Sequence, residues 1–97
     1  MRGVAFLPEA REELGTATAY YDGESPGLGD RFLGSVEQVV NRIAAFPEQG
    51  SPFLGGTRRV VLRRFPFSVV YLQEAERVLV VAVAHTSRRP GYWRDRF

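Results

Sequence analysis

The 97-residue sequence contains no cysteine, no lysine, one histidine and one tryptophan. Without cysteine, the chain can form neither a disulfide bond nor a thiolate metal site, which fits a reducing cytoplasm. A single histidine leaves only carboxylates as further metal ligands, and these lie mostly on the first predicted helix. We therefore predict that the protein has no metal site and no cofactor.

Long hydrophobic runs are also missing. No apolar run reaches the ~18 residues of a membrane span, and the N-terminus lacks an extended apolar signal region. Neither a phosphate loop of specific form nor a motif that frames a serine nucleophile is present. The apolar fraction of 44% is ordinary for a globular protein. The sequence predicts one domain over residues 1–97, located in the cytoplasm and without membrane contact.

Two apolar stripes with helical spacing follow a short predicted strand at residues 3–7. The first helix is predicted to begin at Pro8 and to end near Gly23. The second is predicted to have Ser25 as its N-cap and Pro26 as its first residue, and to end before Pro47. Their short connection predicts an antiparallel helical hairpin. The stripes consist of Ala10, Leu14, Ala17 and Tyr21, and of Leu28, Phe32, Val36, Val39, Val40 and Ile43.

Three strand-like segments make up most of the second half, at residues 57–64, 67–73 and 77–85. The apolar run at 78–84 does not alternate with polar residues, which predicts a central strand buried on both faces. The predicted order is strand, two helices and three strands. This order indicates an α+β fold.

Charge is divided unequally along the chain. Residues 1–57 have four arginines and eight acidic residues, a net charge of −4, whereas residues 58–97 have nine arginines and three acidic residues, a net charge of +6. Arg58-Arg59 and Arg63-Arg64 flank the apolar residues 60–62, and alternation along a strand places one arginine of each pair on each face. These arginines are candidates for phosphate contacts with RNA. Alternatively, they pair with the acidic residues of the first helix or with an acidic protein.

The end of the last strand brings together several groups suited to chemistry on RNA. In metal-independent RNA cleavage, a base removes the 2′-OH proton, an acid protonates the leaving 5′-oxygen, and positive charge stabilises the phosphate. His85 fits the base or acid, Tyr92 its partner, and Arg88 or Arg89 the phosphate clamp. Arg88 is the first choice for the clamp, with Arg89 and Trp93 as RNA contacts. Alternatively, His85 only hydrogen-bonds its turn, and the aromatic pair packs on the sheet.

The chain as a whole resembles the RelE/ParE superfamily of bacterial toxins from type II toxin–antitoxin pairs. The resemblance rests on segments that occur in order along nearly the whole chain: FLPEA at 6–10, AYY at 19–21, PGLG at 26–29, RFPF at 64–67, AVAH at 82–85 and RRPGYW at 88–93. It implies a small twisted antiparallel sheet packed on a helical hairpin. It also implies neutralisation by a cognate antitoxin, whose flexible tail folds across the toxin.

The resemblance implies two alternative targets. RelE-like members cut mRNA on the ribosome, and Tyr92 and Arg88 match their C-terminal tyrosine and a nearby arginine. Ser68 and Thr86 occupy positions where those nucleases have arginine. ParE-like members have the same fold without that chemistry and poison DNA gyrase. Ribosome-dependent mRNA cleavage is the first prediction, and gyrase poisoning or an inactive antitoxin-binding protein are the alternatives.

Overall fold

A computed structural model describes residues 3–97, and its elements follow the predicted order with one short additional strand. The helices are α1 (Pro8–Glu24) and α2 (Leu28–Ala45). The strands are β1 (Gly3–Phe6), β2 (Ser51–Pro52), β3 (Arg58–Val61), β4 (Phe67–Gln73) and β5 (Arg77–His85). The predicted α+β fold is confirmed. No helix in residues 3–97 has the length and apolar character needed to cross a membrane.

The sheet is mixed rather than wholly antiparallel, which corrects the prediction. Its strand order is β1-β5-β4-β3-β2, and β1 runs parallel to β5 whereas all other neighbours are antiparallel. Parallel neighbours require a long crossover, and here the helical hairpin and the intervening strands provide it. The predicted central, doubly buried strand is confirmed as β5, in which the residues from Val78 to Ala84 are all buried.

The connection between the helices differs from the prediction, because α1 extends to Glu24 and Ser25 is its C-cap rather than the N-cap of α2. α2 begins at Leu28 after Gly27, whose φ of 85° favours glycine. The backbone N–H of Gly29 donates to Asp22 Oδ1 at 2.8 Å, so a side chain from α1 satisfies a free N–H at the start of α2.

The sheet has an apolar cluster on each face. The helical hairpin covers one face, where Phe32 and Ile43 pack with Tyr71 and Val80. On the opposite face, the C-terminal segment covers a second cluster, in which Trp93 packs with strand residues such as Val70. Burial on both faces explains why the apolar run of β5 does not alternate.

A β-bulge interrupts the pairing of β4 with β5. Val70 pairs with Ala82 and Tyr71 pairs with Val80, so that Val81 is an additional residue on β5. Consequently Val81 and Ala82 both belong to the cluster on the face opposite the helices, and Val83 returns to the helix-facing cluster. The bulge therefore decides which face of the sheet His85 occupies at the strand end.

Strand β3 runs from Arg58 to Val61, so the prediction of a strand over residues 57–64 is wrong at its first residue and at its last three. The N–H of Leu62 donates to the carbonyl of Phe67 at 2.8 Å, and the N–H of Phe67 donates to the carbonyl of Phe65. These bonds close a tight loop toward β4. Arg63 and Arg64 therefore lie exposed in this loop rather than on the two faces of a strand.

Removal of the Tyr71 hydroxyl is expected to destabilise the fold measurably. This buried hydroxyl donates to the carbonyl of Pro47 at 2.6 Å and accepts from the N–H of Gly50 at 3.0 Å. In Tyr71→Phe both backbone groups lose their partner, so the free energy of unfolding is expected to fall by about 1–3 kcal/mol. Urea titration followed by circular dichroism measures this loss. Tyr20→Phe is the control, since Tyr20 is 61% exposed. Equal stabilities for the two variants would contradict the prediction.

Candidate functional site

The site is built at the end of β5, where the chain turns back across the sheet. The N–H of Arg88 donates to the carbonyl of His85 and closes the turn after the strand. Gly91, with φ of 79°, allows a second change of direction, and Tyr92 and Trp93 then lead into a short 3-10 turn at Arg94–Arg96. This C-terminal segment, residues 86–97, thereby places its side chains beside α1 and β5.

A carboxylate on α1 holds the C-terminal segment in place. Glu13 accepts hydrogen bonds from both terminal nitrogens of Arg96 at 2.9 Å, and from the hydroxyl of Tyr92 at 2.5 Å. It also accepts from the backbone N–H of Val83 at 3.0 Å, while Arg96 donates to the carbonyl of Val81 at 3.0 Å. We call Glu13, Tyr92 and Arg96 the carboxylate clamp.

The clamp lies along the edge of β5 that β1 leaves uncovered. β1 pairs with β5 only from Arg77 to Val80, so the strand continues past the end of its parallel neighbour. The open N–H and carbonyl groups of Val83 and Val81 are satisfied by clamp side chains instead of by another strand. Because unpaired groups at a sheet edge invite pairing with other chains, the clamp both fixes the C-terminal segment and protects this edge.

The electrostatics of the clamp favour its charged form. Burial alone would raise the pKa of Glu13, but hydrogen bonds from Arg96, Tyr92 and Val83 outweigh burial and lower it. The pKa of Tyr92 is raised, first by burial and then by its hydrogen bond to the Glu13 carboxylate. The pKa of Arg96 is raised, chiefly by its hydrogen bonds to Glu13. At neutral pH the clamp is an ion pair with a neutral tyrosine.

His85 and Arg88 lie next to each other outside the clamp. His85 Nδ1 accepts from the backbone N–H of Ser87 at 3.0 Å and lies 2.7 Å from the Ser87 hydroxyl oxygen, and its ring packs edge-on against Phe67. Arg88 lies over the ring of Tyr92, at 3.9 Å from its centroid. Both residues line an open groove of about 570 Å³ between α1 and the sheet.

The three predicted catalytic residues are thus neighbours, but their functional groups have different partners. The Tyr92 hydroxyl donates to Glu13, and the Arg88 guanidinium covers the face of the Tyr92 ring. The ring of His85 faces Phe67 and Ser87. In this arrangement the hydroxyl of Tyr92 has no proton to offer to a phosphate beside His85, because the hydroxyl proton is shared with a carboxylate.

The structure divides the predicted RNA-binding residues among different surfaces. Trp93 is buried, with 1% of its surface exposed, so its ring has no face open to a base. Arg58 donates to the carbonyls of Glu48 and Gly50 on the helix-facing side, and Arg89 is exposed beside Arg88. Arg63 and Arg64 lie at a separate groove against α2.

The prediction that Arg58 and Arg59 lie on opposite faces of the sheet is confirmed. Arg58 pairs with Tyr71 of the helix-facing cluster, and Arg59 pairs with Val70 of the opposite cluster.

Two central residues of the site, Glu13 and Arg96, were not predicted from sequence. Glu13 follows Ala10 by three residues and precedes Ala17 by four, so it lies on the buried stripe of α1. An acidic residue on an apolar stripe needs a partner for its charge, so the position of Glu13 in the sequence indicates that it has one. Nothing in the sequence identified that partner.

Within residues 3–97 no group of three or more side chains that could hold a metal ion is present.

Comparisons with known proteins agree with this fold. Residues 4–90 match the model of a family described as the ParE toxin of the type II toxin–antitoxin system parDE. No curated protein matches the chain. Among solved structures, the chain is similar to one from a chromosomal ParDE toxin–antitoxin system of P. aeruginosa, with 17% sequence identity and a TM-score of 0.76. That similarity covers 88% of this chain and 96% of the other.

Proposed function

The chain belongs to the ParE toxin family of type II toxin–antitoxin systems, and on that premise we propose that it arrests growth by poisoning DNA gyrase without catalysis of its own. The match to the ParE family supports the gyrase target, and the carboxylate clamp is the observation that supports the absence of catalysis. Tyr92, the candidate acid–base partner of His85, donates its proton to Glu13 and has a raised pKa. Its hydroxyl therefore serves to attach the C-terminal segment to α1.

Two further observations support a binding role over nuclease chemistry. Ser68 is buried on the middle strand, and Thr86 follows β5, at the two positions where the resemblance to RelE-like nucleases implies arginine. Trp93 is a core residue and offers no stacking surface. A phosphate at this site would thus lack much of the positive charge and stacking that RNA cleavage requires.

The experiment that tests the proposal adds the purified, antitoxin-free protein to DNA gyrase and plasmid DNA. We expect inhibited supercoiling, together with linear DNA after the reaction is stopped with detergent and protease, because a poison traps gyrase on cleaved DNA. Normal supercoiling with protein that is folded by circular dichroism would contradict the proposal. A parallel assay with heat-unfolded protein is the control.

Ribosome-dependent mRNA cleavage is the second candidate, and the proximity of His85 to Arg88 at one groove favours it. The two candidates predict opposite results for His85→Ala. Removal of a general acid or base slows cleavage by about 10²–10⁴-fold, so a nuclease would lose its toxicity. A gyrase poison is expected to remain toxic. Growth after induction, together with mapping of new 5′ ends in a reporter mRNA, distinguishes them.

A cognate antitoxin is the partner that the family implies, and we propose that it is acidic. The second half of the chain has a net charge of +6, so an acidic partner would neutralise it. A small reading frame beside the gene is expected to encode a protein with acidic and apolar residues. Co-expression of that protein should restore growth, and a neighbour without rescue would speak against the pairing.

A further inference from the structure

A small basic pocket lies between the C-terminal segment and the sheet face opposite the helices. Its volume is about 50 Å³. Among residues 3–97 no acidic one lines it, whereas three arginines and two hydroxyl residues do: Arg59, Ser68, Thr86, Arg88 and Arg89. Arg59 lies on β3 and Ser68 on β4, and the other three belong to the C-terminal segment. We call this cavity the basic pocket.

The positive charge of the basic pocket is not neutralised by the part of the chain that the structure describes. Neither ion pair found in residues 3–97 includes any of its three arginines. Aromatic rings hold two of the guanidinium groups instead. That of Arg59 lies 4.2 Å from the ring centroid of Phe53, and that of Arg88 lies 3.9 Å from the ring centroid of Tyr92. Stacking on a ring orients a guanidinium group and leaves its N–H edges available to an anion.

The hydroxyl of Ser68 is a nearly buried group that lacks a protein partner. Ser68 is 4% exposed, and its neighbours across the sheet, Val61 and Ala84, have no polar side-chain atoms. No side-chain oxygen in residues 3–97 is both fully buried and unpaired, so this hydroxyl is reached from the basic pocket. A polar group in such a place requires water or a ligand as its partner.

The volume of the basic pocket limits what it can hold. Pockets that enclose a whole small ligand have about 300–1,000 Å³, so this one accepts a single small group of atoms. A segment of polypeptide is thereby excluded from its interior. The guanidinium groups and hydroxyls that line it can all donate hydrogen bonds. A tetrahedral phosphate offers more acceptor oxygens to these donors than a carboxylate does.

We propose that the basic pocket binds a single phosphate group. Arg59 from β3 and Arg89 from the C-terminal segment would supply charge, and Ser68 would donate from the sheet. The phosphate belongs either to a small molecule or to a nucleic-acid backbone, since both present the same group. This inference goes beyond the proposed function and does not depend on gyrase as the target.

Binding of a phosphate at this position does not require its cleavage. Ser68 and Thr86 supply hydrogen bonds but no charge, at the two positions where the resemblance to RelE-like nucleases implies arginine. Cleavage requires stronger stabilisation of the transition state than of the bound phosphate. The basic pocket is thus suited to holding a phosphate rather than to breaking its ester bonds.

The fluorescence of Trp93 provides a direct test, because Trp93 lines the basic pocket and is the only tryptophan. Sodium phosphate is titrated into the purified protein, with sodium chloride keeping the ionic strength constant. We expect a saturable change in fluorescence. We also expect a rise in melting temperature, because a ligand that binds only the folded state stabilises it. Sodium chloride alone at the same ionic strength should cause neither change.

Ser68→Ala removes a hydroxyl that has no protein partner to lose. We expect it to weaken phosphate binding by about tenfold while the midpoint of urea unfolding stays unchanged. Arg59→Gln/Arg89→Gln is expected to weaken binding by more than about tenfold, because two charge-assisted contacts are lost. Circular dichroism checks that each variant is folded.

Arg63→Gln/Arg64→Gln is the charge-matched control for the double arginine variant. These two arginines are exposed and lie at the separate groove against α2. We expect this variant to bind phosphate within about twofold of the wild type, since only screened long-range attraction is lost.

Two oligonucleotides identify the source of the phosphate group. One is a single strand with an ordinary backbone, and the other has the same sequence with an uncharged methylphosphonate backbone. Displacement of phosphate by the ordinary strand alone would assign the basic pocket to a nucleic-acid backbone. If neither strand displaces phosphate, the group belongs to a small molecule.

Three outcomes would overturn the proposal. The first is phosphate that causes no saturable change in either fluorescence or melting temperature. The second is equal phosphate affinity of the wild type and Ser68→Ala. The third is acetate that binds as tightly as phosphate, which would assign the basic pocket to a carboxylate. Gyrase and mRNA assays do not enter this test, so a wrong target and a wrong ligand are distinguishable.

Discussion

Glu13→Ala is expected to lower the free energy of unfolding by about 2–4 kcal/mol, because removing one member of a largely buried ion pair leaves the other uncompensated. The side chains of Glu13 and Arg96 are 18% and 15% exposed, so solvent screens their pairing only weakly. The substitution also removes the acceptor for the Tyr92 hydroxyl and for the N–H of Val83. Urea titration followed by circular dichroism measures the loss.

Glu12→Ala is the matched control, since Glu12 is the preceding residue on α1 and is exposed. Its effect is expected to stay within about 0.5 kcal/mol of the wild type. Arg96→Ala and the double variant Glu13→Ala/Arg96→Ala complete a double-mutant cycle, for which we expect a coupling energy of about 1–3 kcal/mol. Additive effects would show that Glu13 and Arg96 are not coupled, and equal stabilities for Glu12→Ala and Glu13→Ala would show that the clamp does not stabilise the fold.

The pH dependence of stability offers an independent test of the clamp. The folded state lowers the pKa of Glu13, so its contribution is present above the unfolded value of about 4.3 and is lost as the pH falls through the folded value. The difference in stability between the wild type and Glu13→Ala should therefore be largest near neutral pH and shrink in acid. A difference that stays constant down to strongly acidic pH would contradict the lowered pKa.

Periodicity predicted the parts of this fold that local sequence determines. The stripe of α2 contains Phe32 and Ile43, and both are buried against the sheet. The apolar run of β5 predicted a strand covered on both faces, and the structure confirms it. These features depend on which side chains prefer to leave water, which the order of residues reveals directly.

Features that depend on distant residues were not predictable in the same way. The parallel pairing of β1 with β5 joins residues more than seventy positions apart, such as Val4 and Val78. The bulge at Val81 falls inside a uniform apolar run, which has no alternation to indicate a change of face. Glu13 and Arg96 are likewise far apart along the chain, so neither identifies the other. Only the folded chain brings such partners together.

The bulge connects these long-range features to the site. If β5 paired with β4 without a bulge, strict alternation from Val80 would place Ala82 on the helix-facing side and Val83 on the opposite one. His85 would then also change face and leave the groove that it shares with Arg88. A sequence-based prediction that assumes an unbroken strand therefore places the C-terminal site residues on the wrong faces.

Trp93→Ala is expected to lower the free energy of unfolding by about 3–5 kcal/mol, as removal of a large buried aromatic side chain leaves a cavity. Trp93 is 1% exposed and packs with residues of β4 and β5 on the face opposite the helices. Its ring also stacks on Phe97 and contacts Phe53. A ring that served only to stack on RNA bases would be exposed, and its loss would leave stability nearly unchanged.

Phe46→Ala is the control for Trp93→Ala, since Phe46 is 68% exposed and its loss creates no cavity. Trp93 is the only tryptophan, so the wild type supplies a second readout. Its fluorescence should be poorly quenched by iodide in the folded state and should shift to longer wavelength in urea. Strong quenching in the folded protein, or a stability of Trp93→Ala near that of Phe46→Ala, would indicate that Trp93 is exposed. Trp93 would then again be a candidate for an RNA contact. The expected result makes Trp93 the anchor that, together with the carboxylate clamp, holds Arg88 and Tyr92 against the sheet.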